Sequence, residues 1–253
     1  MRTATVATLF VLGAFVSACA PTTHTRHSTV DTSPRIESPT FVSGFESLAD
    51  FAGMYISPQT ATTRHALVST PRHGGEHAHC AWLTGRGTSA DTDGPNHRGY
   101  PTVQVRKIDP RGFATPAVVD LWVWVDAKMK PGQWVSLATL SPDTSDRWSR
   151  VVTVNVDPGG WINVYHVPDQ GEHRPSIETH RAFPQRQWVH LSIRIDFDPQ
   201  RGSIEVLQNN ELVARAEVNG GHGRLEQAHF GMYAIASLTS ATVCNDDLKI
   251  TSH

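Results

Sequence analysis

The sequence lacks the short motifs that mark the commonest nucleotide-binding and hydrolytic sites. Its 253 residues contain no Gly-x-Ser-x-Gly elbow, no glycine-rich phosphate loop and no His-Glu-x-x-His helix. It also lacks an excess of charge of either sign, since 22 Lys and Arg residues face 24 Asp and Glu residues and leave a net charge of −2. Lys and Arg are not gathered into a stripe that could follow phosphates, so we expect no nucleic-acid partner.

Long apolar runs are scarce, and the clearest is the uncharged stretch Ala4 to Val16, which follows Arg2 and ends at Cys19. It is too short to span a bilayer, and small residues precede the cysteine, so the pattern predicts a secretory signal. Val16-Ser17-Ala18-Cys19 resembles the lipobox of bacterial lipoproteins. The resemblance implies a signal peptide over 1–19, lipidation of Cys19, an anchor in the membrane and an extracytoplasmic location in the cell envelope. Ordinary signal cleavage, with Cys19 unmodified, is the alternative.

Residues 20–39 are rich in Thr, Ser and Pro and poor in apolar side chains, which predicts a flexible tether. The folded domain is therefore expected over 40–253. Only three cysteines are present. If Cys19 is acylated, Cys80 and Cys244 are left in an oxidising compartment, where we expect a disulfide between an early and a late strand that staples the sandwich. Two separate buried thiols are the alternative.

Alternating apolar and polar residues predict strands along most of this domain. Val119, Leu121, Val123 and Val125 alternate with Asp120, Trp122, Trp124 and Asp126, and Trp188 to Phe197 is the most regular such stretch. Glycine, proline and asparagine turns separate roughly a dozen such stretches. The pattern predicts an all-β, antiparallel two-sheet sandwich, with short helical turns only around Ser47 to Gly53 and Ser141 to Trp148.

Three sequence segments resemble parts of the concanavalin A-like jelly roll of bacterial polysaccharide lyases and laminin-G-like modules. They are Trp188 to Asp196 with the following Ser203 to Val213, His229-Phe230-Gly231-Met232-Tyr233, and Asn245 to Ile250. The third segment resembles the closing strand, and the second resembles a late strand of alginate-lyase-like enzymes whose tyrosine is catalytic. The resemblance implies that Tyr233 is catalytic and that His229 stands where that family has lysine. The Arg-Ser-Glu-Leu-Arg and Gln-x-His strands of the family are absent.

Cleavage of a uronate chain by β-elimination needs a group that neutralises the carboxylate, a base for the α-proton and an acid for the leaving oxygen. We expect Tyr233 and His166 to be the catalytic residues, on an outward sheet face. The expected contacts to an acidic polysaccharide are Arg98, Tyr100, Gln104, Trp124, Asn155, His190 and His229. Two alternatives remain open: a carbohydrate-binding protein without turnover, and a structural lipoprotein of the cell envelope.

No metal site or cofactor is predicted. His77 and His79 lie on one face of a predicted strand, and Glu76 and Cys80 lie on the other, so these residues do not converge on zinc. Asp246 and Asp247 beside Glu46 leave calcium open.

Overall fold

The computed structural model describes residues 40–56, 59, 62–87, 92–93, 96–99, 101–104, 106, 109–144, 150–167, 175–176 and 181–253. All of them belong to one compact unit, Glu37–His253. The predicted signal peptide with Cys19, the predicted tether and Tyr100 lie outside the described residues.

None of the helical segments in the described part of the chain is long and apolar enough to cross a membrane.

The described residues form strands joined by tight turns. In chain order they are β1 (Thr40–Ser43), β2 (Met54–Ile56), β3 (Thr63–Val68), β4 (Ala78–Leu83), β5 (Thr92–Asp93), β6 (Asn96–Gly99), β7 (Pro101–Gln104), β8 (Phe113–Ala114), β9 (Ala117–Ala127), β10 (Val135–Ser141), β11 (Val152–Val156), β12 (Ile162–His166), β13 (Pro175–Ser176), β14 (Trp188–Asp196), β15 (Gly202–Gln208), β16 (Glu211–Val218), β17 (Arg224–Leu225), β18 (Gln227–Ile235) and β19 (Ala241–Ser252).

Two antiparallel sheets carry most of these strands. Sheet A has the order β16-β15-β14-β9-β19-β4-β3, with β1 also paired to β19. Sheet B has the order β13-β12-β11-β10-β18-β6-β5, and β7 joins β18 to β2. Strands β8 and β17 pair separately. The predicted antiparallel two-sheet sandwich is confirmed.

The core lies between the sheets, and the alternation in β9 and β14 explains it. Val119, Leu121, Val123 and Val125 are fully buried, whereas the residues between them in β9 are partly exposed. The apolar residues of β10, β11, β12 and β18 belong to the same buried cluster from the other sheet. Each buried aliphatic side chain contributes roughly 1.5–3 kcal/mol. One apolar face on each sheet therefore holds the two layers together.

A β-bulge interrupts the pairing of β10 with β18. Ser136 is opposite Tyr233, but Ala138 is opposite Phe230, so the register shifts between these pairs. Gly231 lies in the bulge with a φ of 110°, a conformation that side chains with a Cβ rarely adopt. The bulge bends sheet B locally and redirects the side chains around Tyr233.

The predicted disulfide between Cys80 and Cys244 is present. The two cysteines face each other in the ladder between β4 and β19, which are neighbours in sheet A. The bridge therefore joins adjacent strands of one sheet. The sequence had led us to expect that it would close the two sheets on each other.

The local differences from the sequence-based expectations lie mostly before β9. The predicted helical turn after β1 is confirmed as a 3-10 helix, Leu48–Phe51, capped by Ser47 through a capping box with Asp50. The stretch Thr84 to Asn96 is rich in Gly, Thr, Ser, Asp and Pro, which predicts a loop, but it contains β5 and the start of β6. Of the second predicted turn, residues 145–149 lie outside the described part.

Candidate functional site

A row of polar side chains crosses sheet B on the side away from the core, and we call it the polar face of sheet B. Its members come from β10, β11, β12 and β18, because residues paired directly in an antiparallel ladder point to the same side. They are Ser136, Thr139, Thr153, Asn155, Asn163, Tyr165, His229 and Tyr233. Most are buried, so the row forms a recessed surface.

The bulge creates a depression in this row. It is a shallow depression, too small to enclose a water molecule, and it is lined by Ser136–Thr139 of β10 and by His229, Phe230, Gly231 and Tyr233 of β18. Gly231 leaves the space open, since it adds no side chain between His229 and Tyr233. The two residues with acid–base chemistry therefore stand at the rim of one concavity.

The phenol of Tyr233 is held in place from two sides. Asn96 Nδ2 donates a hydrogen bond to Tyr233 Oη at 2.6 Å, and the ring lies 5.3 Å from that of Trp134. Only 6% of Tyr233 is exposed. Oη accepts the bond from Asn96, and the phenol itself carries one proton.

A hydrogen-bonded chain orients the imidazole of His229. Gln227 Nε2 donates to the carbonyl oxygen of Asp143 at 2.7 Å, which fixes the amide so that Oε1 faces His229 Nε2 at 3.2 Å. An amide oxygen only accepts, so Nε2 of His229 carries the proton in this pair. In the neutral ring the lone pair then lies on Nδ1.

Asn155 provides an unsatisfied acceptor on the same face. Its Nδ2 donates to Thr153 Oγ1 at 3.0 Å and to Asn163 Oδ1 at 3.4 Å. Its Oδ1 is buried and has no hydrogen-bond donor among the described residues. Leaving such a group unpaired costs about 1–3 kcal/mol, and a ligand hydroxyl or a carboxylic acid proton placed there would remove that cost.

The backbone register places Arg98 and Gln104 on strands that pair with β18. Arg98 is opposite Tyr233, and Gln104 is opposite Gln227. Both predicted contacts therefore lie on strands next to the two candidate acid–base residues.

His166 does not join the polar face of sheet B. It pairs with Val152, and both share the side of the sheet on which the core residues lie. Its Nδ1 lies 3.3 Å from the carbonyl oxygen of Val151, and its Nε2 accepts from the backbone N–H of Asn219 at 3.0 Å. With one nitrogen donating and the other accepting, the side chain connects β12 to the chain after β16. The structure gives His166 a position suited to holding these segments together.

Trp124 and His190 lie in sheet A. Trp124 is opposite Trp188 and Cys244, and His190 is opposite Trp122. The predicted site is thus divided between two sheets, with Arg98, Gln104, Asn155, His229 and Tyr233 in one and Trp124 with His190 in the other.

The carboxylates considered for calcium bond to backbone N–H groups. Glu46 Oε2 accepts from Glu76 and His77, and Asp246 Oδ2 accepts from His73 and Gly74. Burial raises the pKa of the Asp246 carboxyl, although the backbone bonds oppose that shift. In the described part of the chain no group of three or more His, Cys, Asp or Glu residues is arranged to hold a metal.

Sequence reasoning missed Asn163, Tyr165, Gln227 and Asn96. Asn163 could have been found, because the hairpin turn at Asp157 to Gly160 pairs it with Asn155. Asn96 acts through a side-chain contact to distant Tyr233, and Gln227 is fixed by distant Asp143, which no local pattern reveals. The contact of Gln227 with His229, two residues along the same strand, is local.

No family model matches the sequence, and no curated protein sequence matches it. Solved structures do match. An endo-β-1,4-glucuronan lyase from the fungus Trichoderma reesei is matched with a TM-score of 0.56 and 12% identity, over 86% of this chain and 96% of that chain. The cellulose-induced protein Cip1 is matched with a TM-score of 0.57 and 14% identity, over 84% of this chain and 97% of that chain. An alginate lyase of polysaccharide lyase family 7, AlgAT5, has a TM-score of 0.48 and 11% identity, over 69% and 77% of the two chains. The first two likenesses confirm the predicted jelly-roll fold.

Proposed function

We propose that this protein binds an acidic polysaccharide on the polar face of sheet B and cleaves it by β-elimination. The observation that carries the proposal is that His229 and Tyr233 both line one shallow depression. The fold shared with a glucuronan lyase supports it, since that protein acts on a chain of uronic acids.

In the proposed reaction, residues of this face act together with Arg98 of β6 and Gln104 of β7. Arg98 neutralises the substrate carboxylate, which makes the adjacent α-proton acidic. Nδ1 of His229 removes that proton, while Tyr233 gives its proton to the glycosidic oxygen. The bond from the β-carbon to that oxygen breaks, and a double bond forms between the α- and β-carbons. Gln104 and Asn155 hold the sugar through hydrogen bonds.

We also propose that the chain acts outside the cytoplasm, attached to the membrane of the cell envelope through acylated Cys19. The apolar segment Ala4 to Val16 and the lipobox-like Val16 to Cys19 support this location. It would bring the site to extracellular or periplasmic polymers.

Turnover is tested with uronic-acid polymers, because the unsaturated product absorbs in the near ultraviolet. The purified protein is incubated with polyglucuronate, polygalacturonate and alginate in separate reactions. We expect absorbance to rise with at least one of them, and Tyr233→Phe and His229→Ala to lower the rate by roughly 100-fold or more, the usual contribution of a general acid or base. His222→Ala is the matched control, since His222 is exposed and outside the site.

Glycan binding without turnover is the second candidate. Thr153, Asn155 and Asn163 favour it because they offer hydrogen-bonding groups without charge, as a surface for sugar hydroxyls requires. In that case titration calorimetry would detect a complex that Asn155→Ala weakens, while no polymer produces ultraviolet absorbance.

A further inference from the structure

The outward side of sheet A carries an unusual concentration of aromatic rings. In β9 the buried apolar residues alternate with partly exposed Trp122 and Trp124, and in β14 Trp188 and His190 are likewise partly exposed. Trp124 is opposite Trp188 and Trp122 is opposite His190, so the four rings form two adjacent cross-strand pairs. An outward sheet face in water is usually polar. We use the name aromatic face of sheet A for these four residues together with His73, which stacks on Trp122.

Ring contacts hold this face rigid. His73 stacks on Trp122, with ring centroids 3.7 Å apart and an interplanar angle of 14°, and its edge approaches Trp188 at 6.1 Å. His190 packs against Trp122 at 5.3 Å. His73 is itself fixed, because its Nδ1 lies 2.7 Å from Asp247 Oδ2 and its backbone N–H donates to Asp246. The rings of His73, Trp122, Trp188 and His190 are therefore ordered before any ligand arrives, which lowers the entropic cost of binding.

Carboxylates surround the rings. Asp120 Oδ1 lies 3.6 Å from His190 Nε2, Asp247 contacts His73, and Asp126 is bound by Arg186 at 2.8 Å. The border of the face is therefore rich in hydrogen-bond acceptors, to which the hydroxyl groups of an uncharged sugar can donate. Arg186 offsets the charge of Asp126, and Lys249 is opposite Asp120 in the ladder.

We propose that the aromatic face of sheet A binds a neutral polysaccharide chain. The apolar faces of sugar rings pack on indole rings, and Trp188 and Trp124 are opposite each other on two neighbouring strands, where they can contact successive sugars. The carboxylates disfavour other occupants, because a second protein or a lipid surface would have to desolvate Asp120 and Asp126. The most exposed large apolar side chains of the described residues, Val42, Leu48, Tyr55 and Ile56, belong to other elements.

This site is independent of the proposed lyase site, since it lies on the other sheet. It would keep the protein on a composite material in which neutral and acidic chains occur together. Trp124 and His190, which the sequence assigned to the acidic substrate, belong to this second surface.

The test is affinity gel electrophoresis of the purified full chain with hydroxyethyl cellulose or soluble xylan in the gel, and with polyglucuronate as the acidic comparison. We expect a neutral polymer to retard the protein. Trp188→Ala and Trp124→Ala should each weaken that retardation roughly fivefold or more, as loss of a central aromatic contact does, and Trp188→Phe should retain most of it. Trp161→Ala is the control, because Trp161 is a partly exposed tryptophan of the β11–β12 hairpin. Circular dichroism of each variant establishes folding, and Trp188→Phe remains informative if an alanine variant does not fold.

Three results would overturn the proposal. They are no retardation by either neutral polymer, equal retardation of Trp188→Ala and the native protein, and loss of a dimer in size-exclusion chromatography on Trp188→Ala, which would make the face a contact between copies. Absorbance assays on the same variants separate this site from the first one. We expect Trp188→Ala to cleave soluble uronate as the native protein does, whereas Tyr233→Phe should lose cleavage and keep retardation by the neutral polymer.

Discussion

His79 shows how a single buried group makes stability depend on pH. It is 1% exposed, packs 5.9 Å from Phe45 and 5.6 Å from Phe51, and its Nε2 lies 3.4 Å from His65 Nδ1. Burial, together with a smaller effect of the charge of His65, lowers the pKa of His79 from 6.5 to about 3. The native state therefore holds His79 neutral where the unfolded chain would protonate it.

The direction in which stability changes with pH follows from which state, native or unfolded, binds the proton. Below the unfolded pKa the unfolded state binds a proton that the native state excludes, so native stability falls as pH decreases. The loss attributable to His79 is about 2 kcal/mol between about pH 7 and about pH 5. We expect His79→Leu to show a smaller decrease over that range in urea unfolding, with His222→Ala behaving like the native protein. An equal pH dependence in His79→Leu would mean that other groups are responsible.

His166 provides a second prediction at the residue scale. Because both ring nitrogens bond to backbone groups of Val151 and Asn219, we expect His166→Ala to lower the free energy of unfolding by roughly 1–3 kcal/mol. Denaturant unfolding measures the loss. Turnover per folded molecule should stay unchanged, and a fall of the size expected for Tyr233→Phe would instead return His166 to the catalytic residues.

At the scale of elements, the shape of the candidate site depends on the bulge in β18. Gly231 has a φ of 110°, where a residue with a Cβ is strained. We expect Gly231→Ala to cost roughly 1–3 kcal/mol of stability and to impair binding of the uronate chain as His229 and Tyr233 move apart. Gly132→Ala is a control for the strain alone, since it too has positive φ and lies in an open turn. Titration calorimetry compares the two, and equal affinity of both variants would contradict the role of the bulge.

The disulfide acts on the pairing of β4 with β19. It closes a sequence separation of 164 residues, so chain entropy predicts that its loss costs roughly 2–5 kcal/mol. We expect the double variant Cys80→Ala, Cys244→Ala to unfold at a lower urea concentration than the native protein. Hydrogen exchange should be faster in β4, which carries Cys80, and in β3, the edge strand of sheet A beyond it. Unchanged exchange in these strands would show that the ladder alone secures that edge.

Across the whole molecule, alternation predicted the strands well and the site only in part. It placed Val119, Leu121, Val123 and Val125 in the core. It also placed Tyr233 and Trp124 on sheet sides that face away from the core, as the structure shows. The same alternation places His166 on the side of β12 that carries the buried Ile162 and Val164, so it indicates that His166 faces the core. Alternation tells which side of a strand a residue occupies, but nothing local tells which sheet the strand joins.

That limit explains why one predicted surface became two. Trp124 and Tyr233 both point away from the core, but β9 lies in sheet A and β18 in sheet B. Their separation follows from the pairing of strands far apart in sequence, such as β9 with β14 and β19. The bulge that forms the depression likewise depends on the match between β10 and β18, so no reading of either strand alone reveals it.

The proposed attachment concerns the molecule as a whole, because the acyl chains on Cys19 would determine where both glycan surfaces meet their polymers. Each buried methylene contributes about 0.8 kcal/mol, so two or more acyl chains hold a protein firmly on a membrane. Upon expression in a bacterium, we expect the native chain in the membrane fraction and Cys19→Ser in the soluble fraction, with mass spectrometry detecting the lipid on the native N-terminal peptide. Cys80→Ala, Cys244→Ala is the matched control, because it removes cysteines without touching the lipobox-like segment, and it should remain with the membrane. Recovery of the native chain and Cys19→Ser in the same fraction would mean that Cys19 carries no anchor.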